Sequence, residues 1–284
     1  RPKDALLDPD AGLLSDYGVV KEVEELKTGG KQITMSFGYQ DESRGKTAGQ
    51  QLIGDTQGLQ YDTFDVKLGV LRNGWSVDDG GYTDQVLPWD SAKALAMNAA
   101  DWAAKRLSFA LHCHAAGLGV ITDDAFRLYN TINAVTSTHI LRPNDKAAGA
   151  LTDTDEFTVE LIDDAAQFVT MVEPQIRPAK TPWGDMYALF ISPEQRRALK
   201  RTDSAWYAAM TASLQGGNQK SGVFTRALGI WNNFVILESQ FVPPGLNSGE
   251  TAFKASTRRA WVGGAGRHEA HVLVADAVLV EHVD

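Results

Sequence analysis

The chain has 284 residues, of which 43% are hydrophobic and 22% are charged, as in a folded protein with a substantial core. Its 36 acidic residues outnumber 27 basic ones, and the net charge of -9 argues against a nucleic-acid reader, which normally carries a basic face. No apolar run approaches the ~20 residues that span a bilayer. The single Cys113 excludes an intramolecular disulfide and indicates folding in a reducing cytoplasm. Because the chain begins with Arg1, we expect either a processed N-terminus or an incomplete sequence.

Two segments near the N-terminus, Lys31–Gln40 and Phe64–Arg72, alternate apolar and polar residues as half-buried β-strands do. We interpret them, with the polar, glycine-rich insert Asp41–Thr63, as a long β-ribbon. A two-stranded ribbon is at best marginally stable in water, so its apolar face needs cover from its own chain or from a second copy. That face comprises Ile33, Met35, Phe37 and Tyr39 in the first strand and Phe64, Val66, Leu68 and Val70 in the second.

The strongest helix signal runs from Asp90 to Ala116, where Ala, Leu, Met and Lys dominate. Asp90 or Ser91 is suited to cap its start, and Gly117 stands where a helix stops. At 1.5 Å per residue this helix extends about 40 Å. One face carries mostly small residues that let another backbone approach closely: Ala96, Ala100, Ala103, Leu107, Ala110 and Leu111.

Beyond Gly119 helices and strands mix, so the predicted fold class is α+β. The predicted helices are Thr122–Ile132, Val159–Val172, Glu194–Lys200, with Pro193 ahead of it, and Ser204–Ser213. The predicted strands are Met186–Ser192, Asn233–Glu238, Arg258–Val262 and Val272–Val280. Predicted loops are the segment before Asp155, Gly216–Gly222 and the Pro/Gly-rich Val242–Glu250.

No group of residues has the spacing of a catalytic, cofactor or metal site, so we predict no such site. His112-Cys113-His114 is the obvious metal candidate, but neighbouring helical residues point about 100° apart and do not converge on one ion. His268 and His271 lack the i, i+4 spacing of a helical zinc site. Packed or solvated histidines are the favoured interpretation in both places.

The glycine-rich segments also fail as ligand loops. Gly216–Ser221 lacks the spacing of a phosphate loop, and Gly263–Gly266 has no βαβ unit around it. The acidic pairs Asp123-Asp124 and Asp163-Asp164 are predicted at helix N-termini, where carboxylates offset the helix dipole.

Several segments occur together in the order and spacing of a known family. They are Tyr187-Ala-Leu-Phe-Ile-Ser-Pro-Glu-Gln195, Gly222-Val-Phe-Thr-Arg-Ala-Leu-Gly229 followed by Asn233–Glu238, and Arg258-Arg-Ala-Trp-Val-Gly-Gly264, preceded by Ile176-Arg177-Pro178, the ribbon and the helix from Asp90. In this set the sequence resembles the major capsid proteins of the N-four-like tailed bacteriophages, which have the Hong Kong 97-type capsid fold. The resemblance covers roughly Glu24 to Gly264.

The resemblance implies five parts: an N-terminal arm (1–30), an extended β-ribbon loop (31–75), a peripheral domain with the long spine helix (76–119), an axial domain (120–245) and a return to the peripheral domain (246–284). It implies a non-enzymatic major capsid protein that assembles with itself, as hexameric and pentameric capsomers, into the icosahedral head shell of a virion. Assembly would take place in the host bacterial cytoplasm, with scaffold, portal and decoration proteins as further partners and no membrane or cofactor. The shell would enclose double-stranded DNA without sequence-specific binding, which suits an acidic chain.

Two alternatives stay open at the level of sequence. One is a shell subunit of an encapsulin-like compartment, and the other is an unrelated α+β enzyme whose ribbon packs on its own domain. A further question concerns Lys46, the only lysine in the ribbon insert, because some capsids of this fold join a loop lysine to a neighbour's asparagine. We predict no such cross-link here.

Overall fold

A computed structural model describes the main part of the chain in segments. These are residues 32–38, 47, 61–67, 71–75, 91–118, 135, 139–147, 150–152, 155–171, 176, 178–181, 184–209, 227–246, 253–263 and 272–278. For residues 32–38 and 61–67 the structure describes the backbone and some side chains, and for residues 272–278 the backbone alone.

The described residues form ten strands and three long helices. The helices are α1 (Ser91–Ala115), α2 (Val159–Met171) and α3 (Pro193–Thr202), with a further helical segment at 204–209 and a 3-10 turn at Pro143–Asp145. The strands are β1 (Gln32–Gly38), β2 (Tyr61–Lys67), β3 (Ile140–Leu141), β4 (Ala179–Thr181), β5 (Gly184–Ile191), β6 (Ala227–Trp231), β7 (Phe234–Glu238), β8 (Pro244–Leu246), β9 (Phe253–Gly263) and β10 (Val272–Val278).

The main sheet has eight strands and a mixed topology. Its order is β3-β10-β9-β5-β7-β6, with β4 paired to β5 and β8 paired to β9. The β5–β7 and β10–β3 pairs are parallel and the other pairs are antiparallel. Strands β1 and β2 form a separate two-stranded antiparallel sheet, which is the predicted ribbon. The α+β class predicted from the sequence is confirmed.

Both faces of the central strands are buried, because side chains alternate across the sheet. One face packs against α2 and α3 and carries Tyr187, Leu189, Ile191, Phe234, Ile236, Ala260 and Val262. The opposite face meets the C-terminal end of α1 and carries Ala188, Phe190, Val235, Leu237 and Trp261. Burial on both sides explains why β5 and β7 are nearly continuous apolar runs in the sequence rather than alternating ones.

Helix α3 begins with a capping box that holds it to the end of β5. The Ser192 hydroxyl accepts a hydrogen bond from the Gln195 backbone N–H at 3.1 Å, and the Gln195 side chain accepts one from the Ser192 N–H at 2.9 Å. Gln195 Nε2 also donates to the Arg258 carbonyl in β9, at 3.2 Å. This local chemistry fixes the strand-into-helix junction that the sequence predicted at Pro193.

Most predicted elements are confirmed, with shifted ends. The second ribbon strand begins at Tyr61 rather than Phe64. Strands β3, β4, β6 and β8 were not predicted, and β8 lies inside the segment predicted as the loop Val242–Glu250. The predicted helix Thr122–Ile132, residues 210–213 and the loop Gly216–Gly222 lie outside the described residues.

Candidate assembly surface

The register of the ribbon sorts its residues by polarity. Ile33 pairs with Val66 and Met35 with Phe64, whereas Thr34 pairs with Asp65 on the alternate positions. Directly opposite residues share a face of an antiparallel pair, so apolar positions meet apolar ones at these two pairs, whereas Phe37 pairs with Asp62 further along. This backbone pairing is the one that the alternation in the sequence predicts.

The polar face of the ribbon is exposed. Every described side chain on it is solvent-accessible, and Thr34 Oγ1 donates to Asp65 Oδ1 at 2.6 Å. This hydrogen bond, with a second from Gln32, lowers the pKa of the Asp65 carboxyl below its usual value. The side chains of the predicted apolar face, Tyr39, Leu68 and Val70 included, lie outside the described residues. What covers that face therefore stays a prediction.

Helix α1 presents an apolar face to solvent along its first four turns. This outer face, as we call it, consists of Ala96, Met97, Ala100, Ala103, Ala104 and Leu107, all of which are exposed. Met97 and Leu107 retain 62% and 40% of their surface. The small-residue stripe predicted for close packing is therefore only partly buried in the subunit, at Ala110 and Leu111. Ala99, Trp102 and Arg106, on another side of α1, are half-buried instead.

The segment that follows the ribbon adds to the apolar surface. Leu71 and Trp75 are 45% and 41% exposed. The Trp75 ring meets Trp102 of α1 edge-on, with the ring centroids 5.7 Å apart. Of the five large apolar side chains that are exposed in the described part of the chain, four belong to this segment and to α1. Such exposed apolar residues mark an interaction surface when they form a patch, since monomeric proteins rarely leave large patches uncovered.

The C-terminal end of α1 is fixed by a Schellman motif. The Leu118 N–H donates to the Cys113 carbonyl at 3.2 Å, and the Gly117 N–H donates to the His114 carbonyl at 3.1 Å. Gly117 has φ +61°, and a side chain on it would collide with Val135. Glycine at the predicted stop position is therefore required both by backbone conformation and by space.

A buried hydrogen-bond chain ties this end of α1 to the sheet. Trp261 Nε1 donates to His112 Nδ1 at 2.9 Å, so the neutral imidazole carries its proton on Nε2, which faces Ser239 Oγ at 3.0 Å. The Ser239 hydroxyl in turn accepts from the Phe241 N–H at 3.2 Å. His112 also packs edge-on against Phe190, with ring centroids 5.6 Å apart. One end of α1 is thereby rigidly seated, while its other half projects its outer face to solvent.

The His112-Cys113-His114 segment has a structural role in the described structure. Both ring nitrogens of His112 take part in the buried hydrogen bonds to Trp261 and Ser239, and burial raises the pKa of the Cys113 thiol to about 12. Burial also lowers the pKa of His114, whose Nε2 has no hydrogen-bond partner among the described residues. Across the described part of the chain, no three His, Cys, Asp or Glu side chains are grouped to hold a metal ion. His268, His271, Asp123, Asp124, Lys46 and 216–221 fall outside it.

Asp163 does not act as predicted. It lies in the second turn of α2, and its Oδ1 accepts hydrogen bonds from Trp231 Nε1 at 2.8 Å and Asn232 Nδ2 at 3.2 Å. Trp231 is the last residue of β6, and Asn232 belongs to the two-residue turn between β6 and β7. The predicted position of Asp163 and Asp164 at the helix N-terminus is wrong, because both lie in the second turn and Glu160 is the acidic residue of the first.

Comparisons with known proteins agree on one kind of molecule. The sequence profile of a family described as "Phage capsid protein" matches residues 14–280. The structure is similar to the capsid of Ralstonia phage GP4, with a TM-score of 0.74 and 15% identity over 99% of this chain and 92% of that chain. It is also similar to the cyanophage Pam1 capsid asymmetric unit, with a TM-score of 0.61 and 14% identity over 84% of this chain and 70% of that one. No curated protein sequence matches. None of the described helices is long and apolar enough to cross a membrane.

Proposed function

Because the chain belongs to the phage capsid protein family, we propose that its exposed apolar surfaces are the contacts through which copies assemble. The protein is a phage major capsid protein: it forms the head shell of the virion and is not an enzyme. Its principal partner is therefore itself. The proposals below concern how the copies meet and what kind of shell they make.

The observation that carries this proposal is the outer face of α1. Six apolar residues on one side of a helix remain exposed in the single subunit, and two of them are large. An apolar helix face gains free energy when it is removed from water, at roughly 25 cal/mol per Å². In a shell every subunit has neighbours at fixed positions, so such a face is covered once per copy.

We propose that the ribbon of a neighbouring copy supplies this cover. The paired strands put apolar residues opposite one another, so the ribbon has an apolar side to offer. Its polar side is already exposed and hydrogen-bonded within itself. A ribbon lying on the α1 of a neighbour would leave its polar side toward solvent and would bury both apolar faces together.

We propose the Hong Kong 97-type fold, of the N-four-like lineage, as the finer classification. The order of ribbon, long helix and mixed sheet supports it, as do the ordered segments from Ile176 to Gly264. In this arrangement 1–30 is an N-terminal arm, 31–75 the ribbon loop, 76–119 the peripheral domain with α1 as its spine, 120–245 the axial domain, and 246–284 the return to the peripheral domain. We also propose that the copies assemble as hexameric and pentameric capsomers, and that scaffold, portal and decoration proteins are further partners.

We propose double-stranded DNA as the content of the shell. The net charge of -9 suits a container that holds DNA without gripping it, because each basic contact to phosphate would add salt-sensitive affinity. Membership of a phage capsid family favours this over an encapsulin-like compartment, whose content would be a cargo enzyme.

Negative-stain electron microscopy of the purified chain tests the assembly role. We expect closed shells, with capsomers as intermediates. A monodisperse monomer of 30.9 kDa under native conditions, at concentrations where related shells form, would contradict the proposal. Particles purified from infected cells separate the two contents: nuclease-protected DNA supports the phage head, whereas an enclosed protein cargo supports the encapsulin alternative.

A further inference from the structure

The outer side of α2 is acidic. Glu160, Asp163 and Asp164 are exposed on it, and we call these three residues the acidic strip. Glu160 and Asp164 are four residues apart, so two like charges neighbour each other on the helix surface, which destabilises an isolated helix slightly. Neither forms an ion pair with any residue that the structure describes. A partner that brings positive charge would remove this repulsion.

The outer side of α3 is basic. Arg197 and Lys200, which we call the basic strip, are exposed and three residues apart, and among the described residues they too have no ionic partner. The other two arginines of α3 are occupied: Arg196 pairs with Glu238 at 3.1 Å, and Arg201 pairs with Glu156. The unpaired positive charge of this helix is therefore concentrated in the basic strip.

The two strips belong to helices on the same face of the sheet, yet they do not neutralise each other within the subunit. The C-terminal end of α3 contacts the segment that leads into α2: Arg201 and Thr202 bind Glu156, and the Val159 N–H approaches Asp203 Oδ2 at 3.5 Å. Glu160 and Lys200 are each one residue from this junction, yet among the described residues no ion pair joins the two strips. Each subunit therefore exposes both an acidic and a basic surface.

A small polar pocket lies beside the acidic strip. Its volume is about 210 Å³, and the polar groups that line it include Asp163, Gln167, Thr170, Asn232 and Asn233. Trp231 at the end of β6 and Asn232 in the β6–β7 turn hold Asp163 through Oδ1, while its Oδ2 accepts no hydrogen bond from a described residue. An oriented carboxylate with amide oxygens nearby suits a guanidinium or ammonium group.

We propose that the acidic strip of α2 binds the basic strip of α3 from a second copy, with Arg197 of that copy directed at the pocket beside Asp163. The two strips carry opposite charges. The pocket offers hydrogen-bond acceptors beside Asp163, the residue of the acidic strip that two hydrogen bonds hold in place. This inference rests on the proposed function, since it concerns the contacts between copies in a shell. Charge complementarity of this kind fixes which surfaces meet more than it adds affinity.

Charge reversal tests the contact. One variant carries Arg197→Glu and Lys200→Glu, a second carries Glu160→Lys and Asp164→Lys, and a third carries all four changes. Asp163 is left intact because it holds the β6–β7 turn. The first two variants move the net charge of -9 by four units in opposite directions, so an effect of net charge alone would act oppositely on them. The third variant restores both the net charge and the complementarity.

Shell yield is measured by sedimentation at equal protein concentration, with circular dichroism to check folding. We expect each two-residue variant to give at least tenfold fewer shells than the unaltered chain, and the four-residue variant to regain most of the yield. Equal yields from all proteins would overturn the contact and leave two solvated strips. Loss in both two-residue variants without recovery in a folded four-residue variant would overturn it as well. If the unaltered chain forms no shells, the proposed function fails instead, and the contact between copies with it.

Discussion

Polar substitutions on the outer face of α1 should block assembly while leaving the subunit folded. We choose Met97→Gln with Leu107→Gln, because glutamine is of similar length and favours helices nearly as well. Met97 and Leu107 are 62% and 40% exposed, so the fold itself gains little from them. The free energy of unfolding of the subunit should change by no more than about 0.5 kcal/mol per site.

The expected loss in assembly follows from the surface that remains to be buried. Complete burial of a Met or Leu side chain stabilises by about 1.5–3 kcal/mol. The exposed fractions of Met97 and Leu107 correspond to roughly 1.5–3 kcal/mol for the two residues together, once a neighbour covers them. At about 1.4 kcal/mol per factor of ten, the contact between two copies should weaken by roughly 10- to 150-fold.

The assay is the protein concentration at which shells appear, followed by sedimentation velocity and negative-stain microscopy. Met171→Gln is the matched control, because Met171 is 71% exposed at the end of α2 and lies outside the outer face of α1 and both charged strips. We expect the control to assemble as the unaltered chain does. Assembly of the double variant at the unaltered concentration would refute the role of the outer face. So would an equal defect in the control, since the loss would then reflect any exposed methionine.

Three further predictions concern the subunit itself. Gly117→Ala should lower the free energy of unfolding by about 1–3 kcal/mol in urea titrations, because alanine at φ +61° is strained and its Cβ collides with Val135; an unchanged midpoint would contradict this. Burial would raise the pKa of Asp155, but hydrogen bonds from Lys146 and Thr152 lower it to about 2, below the ordinary 3.8. The stabilisation that the Asp155 carboxylate gives the folded subunit should therefore be present above pH 4 and be lost as the pH falls toward 2. Asp155→Asn should lower the free energy of unfolding by about 1–2 kcal/mol at pH 7 and by less at pH 2. Lys46 should form no isopeptide bond: mature particles boiled in detergent should run as monomers, and a covalent ladder would show otherwise.

The elements with local signals were predictable from the sequence. The strict alternation of apolar and polar residues in β1 predicts a strand whatever its tertiary surroundings. The pairing register of β1 with β2 places Ile33 and Met35 opposite apolar residues, as that alternation predicts. Helix α1 ends where Gly117 supplies a left-handed residue. Helix α3 starts at Pro193 behind the Ser192 cap. The capping box of this helix is also readable from the sequence, because Gln195 follows Ser192 by three residues.

The missed strands depend on partners that are distant in the chain. Pro244–Leu246 reads as a loop because Pro and Gly are poor strand formers, yet β9 holds it through pairing with a register shift. Strand β6 lies beside β7 across the Asn232-Asn233 turn, where both residues have positive φ. An Asn-Asn pair between two apolar runs is a hairpin signal that was available in the sequence.

The sequence by itself determined the α+β class, the ribbon, the long helix and the absence of any motif with catalytic spacing, because each depends on residues close together in the chain. Only the tertiary structure decided which side of α1 is left exposed, that His112 bonds Trp261 and Ser239, and that Asp163 binds the β6–β7 turn. Periodicity defines a face of a helix but does not say what lies against it. That depends on contacts between segments more than a hundred residues apart, as between His112 and Trp261, and on copies of the chain that meet only after folding.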